Sequence, residues 1–287
     1  MIKSLIGKVL RFLIYGNFHI ALGACVYLTG AFVLFQVKLD FPLLFFTFFA
    51  TMSTYALHRH IGLRKISPSD HADRFSYFKQ HEQIMKAVTL IAFSGTVVSL
   101  FFVDLALIVI LSPCIVITGL YVLPVLGAGR RLRDLSFIKI FLIAFVWAYI
   151  FMLPKIGYGF SSVHPADWYI FLETLIFFIV LTLPFDMRDQ HIDSGLGLQT
   201  LANSMSKSLL GPALIGGTAL CMILSLISYY VGIYSAAMLA GMIIFYGLLL
   251  PGITKSSGRN EMYFLGFLDG YILLHGLIFL IINQLSI

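Results

Sequence analysis

Trp168 to Lys207, WYIFLETLIFFIVLTLPFDMRDQHIDSGLGLQTLANSMSK, carries the two signals from which the rest of the chain can be read. Its first part, Trp168 to Phe185, is apolar and long enough to cross a bilayer as a helix. Its second part sets Asp186, Asp189 and Asp193 at i, i+3 and i+7 in a chain short of charge. At about 100° per residue these positions fall within roughly 60° of one another on a helix, so the three carboxylates share one face. Clustered carboxylates repel unless they share a cation, and oxygen-only ligands suit a hard divalent ion such as Mg²⁺, which commonly bridges to substrate phosphates. The plain alternative is a hydrated loop with solvated acids.

The same apolar signal recurs along the whole chain. Of its 287 residues, 60% are hydrophobic and 11% charged, whereas a soluble domain has about a quarter of its residues charged. Apolar runs separated by short polar breaks predict an all-α, multi-pass transmembrane bundle of about nine helices around a central cavity, in one domain over residues 1–287. The spans are expected at Phe12–Phe35, Phe41–Leu57, Gln83–Phe102, Leu105–Leu126, Leu135–Leu153, Trp168–Phe185, Leu209–Tyr230, Ile233–Leu250 and Met262–Ile282. The start, MIKSLIGKVLRF, is expected to be a retained first helix and not a cleaved signal.

With those spans, every Lys and Arg except Lys38 and Lys155 falls on one side, which by the positive-inside rule is the cytoplasm of what is expected to be a cell inner membrane. The N-terminus and the aspartates share that side. Basic residues confined to short loops report orientation, so the net charge of +6 does not argue for nucleic acid. Cys25, Cys114 and Cys221 lie far apart inside apolar runs, without metal or disulfide spacing. Two longer segments, His58–Glu82 and Asp186–Lys207, follow the second and sixth spans. This suggests two four-helix units whose polar caps meet over one cavity.

A bundle with DxxDxxxD after its sixth span resembles the UbiA superfamily of intramembrane prenyltransferases. Gly197 and Thr200 in GLQT are similar to the glycine and threonine that follow the family's second aspartate motif, and Leu120 to Lys139, LYVLPVLGAGRRLRDLSFIK, is similar to its basic loop after the fourth span. The resemblance implies that Asp186, Asp189 and Asp193 hold Mg²⁺ and that a prenyl diphosphate is bound there, with Arg188, Thr200 and Lys207 beside it. It implies transfer of the isoprenyl group to a lipophilic acceptor of aromatic or quinone type. The family's first motif aligns with TYALHRHIGLRK, where His58 and Gly62 stand in place of aspartates. Imidazole is a poor Mg²⁺ ligand, so the first metal site is expected to be absent or rebuilt. Asp70 and Asp73 could swing in from the loop or be solvated acids; Arg59, Arg64 and Lys65 either neutralise the diphosphate directly or are orientation anchors.

Tyr55, one turn before His58, is the aromatic singled out to face a cationic isoprenyl carbon. Asp269 lies inside the ninth span, where an acid is costly without a partner or cavity, and is assigned with Tyr55 and His58 to the catalytic set. Glu173 is read as interfacial. The alternatives are a membrane terpene cyclase and a catalytically silent protein that binds or moves an isoprenoid lipid.

Overall fold

Gly16 and Asn17 cut the first apolar run in two. Asn17 takes the left-handed conformation, φ 67° and ψ 10°, which asparagine tolerates better than other side-chain-bearing residues, and the helix cannot continue through it. In the computed structural model, which describes residues 2–63, 73–127, 130–135, 137–158, 163–195 and 200–285, α1 (Ile2–Tyr15) therefore meets α2 (Phe18–Leu34) at 64°. The span expected from Phe12 is corrected to begin at Phe18. Helix α1 leaves Leu5, Ile6, Val9, Leu10 and Leu13 exposed on a helix that also carries Lys8 and Arg11, the pattern of a helix lying in a membrane interface.

The chain continues through α3 (Phe41–Leu63), α4 (Asp73–Gln80), α5 (Glu82–Leu100), α6 (Leu105–Val122), α7 (Ile138–Tyr158), α8 (Asp167–Gly195), α9 (Leu201–Ser204), α10 (Lys207–Tyr230), α11 (Ala236–Thr254) and α12 (Gly270–Leu285). Among the described residues eight helical segments are individually long and apolar enough to cross a membrane, and up to nine when the bent α1–α2 pair is counted as one span. No strand occurs among the described residues. Leu90, Phe93, Val109, Ile223 and Ile244 are exposed along the flanks of these helices, with Phe101 at 83% and Tyr230 at 77%. Water would penalise such a surface, whereas lipid tails do not.

Within the bundle, packing is set by small residues and rings. Helices α2 and α12 meet backbone to backbone: a Cβ on Gly276 would lie 2.4 Å from the Val26 carbonyl oxygen, and one on Gly30 2.8 Å from the Gly276 carbonyl oxygen. Only glycine permits that approach. Tyr27 of α2 packs against Trp147 and Phe151 of α7, Phe178 of α8 and His275 of α12. Helix α8 spans 29 residues, about 43 Å at the α-helical rise, against a hydrocarbon core of roughly 30 Å. Its last turns, with the aspartates, therefore reach beyond the hydrocarbon.

Glu173 is not interfacial. It is fully buried and accepts hydrogen bonds from Ser225 Oγ at 2.7 Å, Tyr246 Oη at 2.9 Å and Tyr234 Oη at 3.2 Å. These bonds lash α8 to α10, α11 and their connection. A buried carboxyl is tolerated when its lone pairs are so occupied.

Candidate active site

A cavity of about 470 Å³ opens among α3, α6, α7, α8 and α12, with Thr96 contributed by α5; among the described residues none of the lining comes from α2, α10 or α11. That volume lies in the range of small-molecule sites. The cavity follows α7 from Lys139 to Leu153 and α3 from Phe46 to Arg59, a run of roughly 20 Å along each helix. One end is lined by Phe46, Leu111, Ile150, Leu153 and Phe178, and the other gathers the charged groups. The C-terminal ends of α3 and α8 thus bring the two polar segments together at one end of one cavity, as their places after the second and sixth spans suggest.

Several expected site residues converge there. Tyr55, His58 and Arg59 line it from the last turns of α3, Asp186, Arg188 and Asp189 from α8, and Asp269 from the junction before α12. Pro184 lies inside α8 just before them and removes one rung of the helical hydrogen-bond ladder. Asp269 follows a π-helical segment, Tyr263–Leu268, and its amide bonds back to the Phe264 carbonyl at 3.0 Å. Such wide turns re-aim the residues beside them and are frequent at functional sites. Thr200 is buried at the start of α9 but does not line the cavity. Asp193 ends α8 and Lys207 begins α10, and their side chains lie outside what is described, as do Arg64, Lys65, Asp70 and Gly197 entirely.

The partners of the acids differ from the expectation of a shared metal. Asp186 Oδ1 is 2.7 Å from Lys139 Nζ, and both side chains are almost fully enclosed. Both oxygens of Asp189 are taken by Arg188, Nε to Oδ1 at 2.8 Å and Nη2 to Oδ2 at 3.0 Å, the two-pronged geometry that guanidinium and carboxylate favour. Among the described residues no three His, Cys, Asp or Glu side chains converge as a metal site. A hard divalent ion needs the carboxylate lone pairs for its own coordination shell. With an ammonium and a guanidinium already on them, Asp186 and Asp189 do not fit Mg²⁺ as they stand.

His58, too, is paired within the lining. Its Nε2 is hydrogen-bonded to Arg133 Nη1, and its ring stacks on Tyr121 at 6.1 Å between centroids. Arg133 lies over the same Tyr121 ring at 5.2 Å. Arg59 donates from Nη1 to the Tyr15 carbonyl, one of the carbonyls that the end of α1 leaves without an intrahelical partner. The described lining thus holds four cations, Arg59, Arg133, Lys139 and Arg188, against three carboxylates, Asp186, Asp189 and Asp269.

Lys139, Arg133 and Tyr121 were not assigned to the site from sequence, although all lie in the segment Leu120 to Lys139. That basic run does not disclose which side chains turn inward: Arg130 is exposed, Arg131 is spent on Asp134 at 2.8 Å, and Arg133 enters the cavity.

No protein-family model matches the sequence, and no curated protein matches it. Solved structures do. A UbiA homolog from Aeropyrum pernix K1 matches 93% of this chain and 98% of its own with a TM-score of 0.63 and 10% identity. A structure described for the biosynthesis of digeranylgeranylglyceryl phosphate synthase in membranes matches 96% of this chain and 97% of its own, with a TM-score of 0.57 and 16% identity. A UbiA homolog from Archaeoglobus fulgidus, bound to GPP and Mg²⁺, matches 94% and 99% with a TM-score of 0.54 and 12% identity. End-to-end coverage at such low identity is a statement about architecture: this chain has the fold of the UbiA homologues.

Proposed function

We propose that this chain is an intramembrane prenyltransferase of the UbiA superfamily, moving an isoprenyl group from a prenyl diphosphate to a lipophilic acceptor of aromatic or quinone type. The observation that supports it is the division of one cavity into a cationic end and an apolar end roughly 20 Å apart. A molecule with a diphosphate head and a hydrocarbon tail has the same division. The whole chain acts as one domain, with the charged end at the cytoplasmic face of the inner membrane, where the positive-inside rule puts its Lys and Arg.

The chemistry follows from where charge develops. Breaking the allylic C–O bond sends its electron pair to the diphosphate and leaves a cationic isoprenyl carbon. Arg59, Arg133, Lys139 and Arg188 offset the first charge. The ring faces of Tyr55, Tyr121 and Trp147, all in the lining, stabilise the second. A nucleophilic atom of the acceptor then bonds to that carbon, and the proton it loses passes to Asp269, which borders the same cavity. The relative from Archaeoglobus carries Mg²⁺ with its GPP. In this chain the corresponding charge is supplied by side chains, and no step is routed through a metal.

The test is pyrophosphate release and prenylated product from purified protein in lipid nanodiscs, given prenyl diphosphates of several lengths and a panel of quinone and phenolic acceptors. Product formation that is lost in Asp269→Asn while donor binding persists is the expected result. Absence of both binding and release with every donor would defeat the reading.

A further inference from the structure

The charged end of the cavity is organised unlike a metal-bridged phosphate site. Each carboxylate that faces it from α8 is already matched to a cation of the chain, Asp186 to Lys139 and Asp189 to Arg188. These cations are enclosed as well as paired. Lys139 is buried in the first turn of α7. The Arg188 guanidinium lies 5.4 Å from the Phe185 ring centroid and 4.9 Å from that of Phe264. Its Nη1 is enclosed and has no hydrogen-bond partner among the described residues, an orphan donor on a lining residue. Buried donors in a finished site are rarely left so, because the lost hydration is not recovered until an acceptor arrives. Arg133, held by His58 and Tyr121, and Arg59, held by the Tyr15 carbonyl, reach the same end from other elements.

We propose that the cavity mouth binds the donor's diphosphate directly through Lys139, Arg188, Arg133 and Arg59, and needs no divalent ion to do so. This rests on the donor reading above and specifies how its head group is held. The aspartates act as positioning residues: Asp186 and Asp189 lock an ammonium and a guanidinium in place, where in a metal-bridged site they would be ligands. Guanidinium forks pair with two phosphate oxygens at once, and an ammonium supplies a point charge beside them. A tethered cation carries no cost of recruiting an ion from solution. Binding then does not follow the concentration of free Mg²⁺.

The experiment titrates geranyl thiolodiphosphate, a slowly ionising donor analogue, into the full-length protein in nanodiscs, once in EDTA and once in excess Mg²⁺. The expected dissociation constants agree within about threefold between the two arms. The double variant Lys139→Gln with Asp186→Asn replaces the ion pair by a neutral one and spares the fold an unpaired buried charge. It should weaken binding in EDTA by about tenfold or more. The double variant Asp186→Asn with Asp189→Asn removes what holds both cations in place and should weaken binding by the same factor in EDTA and in Mg²⁺, whereas loss of metal ligands would weaken the Mg²⁺ arm alone. Binding confined to the Mg²⁺ arm, and lost in Asp186→Asn with Asp189→Asn, would overturn the proposal while leaving the donor reading intact. Binding in neither arm would overturn both.

Discussion

Lys139 and Asp186 illustrate how much hangs on one enclosed ion pair. Both side chains are almost fully enclosed, 10% and 3% exposed, so removing one partner strands the other, at a typical cost of ~3–5 kcal/mol. Lys139→Gln alone should therefore lower the melting temperature of the purified protein well beyond the shift seen in Lys139→Gln with Asp186→Asn, as read by tryptophan fluorescence on heating. Asp269→Asn belongs to a different category. It deletes a proton acceptor with little change of shape, and kcat should fall by about 10²–10⁴-fold, with donor KM nearly constant. From sequence, the aspartates were legible because their spacing puts them on one helical face. Their partners were not. Lys139 belongs to another helix, and nothing local distinguishes a lysine that pairs inward from one that anchors a loop, just as nothing local separates Arg133 from its exposed neighbour Arg130.

Among the elements, α2 and α12 approach each other backbone to backbone at Gly30 and Gly276. Gly276→Val pushes a branched side chain into the Val26 carbonyl, so the helices must separate. Overpacking of this kind costs about 1–3 kcal/mol or more, and the variant should elute as aggregate in size-exclusion chromatography, or melt earlier than a control such as Gly247→Ala, where a Cβ meets nothing within 4 Å. The spans themselves were readable because a transmembrane helix announces itself by apolar length alone. The break at Asn17 was not, since one Gly-Asn pair inside a long apolar run reads equally well as polar packing within a single span. The π turn before Asp269 was equally hidden: YFLGFL reads as ordinary helix, and the widening reflects tertiary packing around it.

At the scale of the molecule, the sidedness of charge gives a direct check. Single cysteines at Lys8 and Arg259, both exposed, should react with a membrane-impermeant maleimide from the same face of oriented vesicles, and one at Lys38 from the other; labelling of all three from one face contradicts the topology. Of the parent cysteines, Cys114 and Cys221 are buried and Cys25 is half-buried, so labelling is read in a Cys25→Ala background. Fold class came from composition because lipid imposes so severe a constraint on backbone polarity. Which helices line the cavity was out of reach, as it depends on which helices pair. One contact carries further than its size suggests. The first helix, tilted away from the bundle with greasy residues outward, ends on a carbonyl that grips Arg59. Through that bond the first helix is a lever on a residue that lines the cavity, and turnover in vesicles should respond to the fraction of acidic phospholipid in the leaflet. Replacing Lys8 and Arg11 by glutamine should flatten that response.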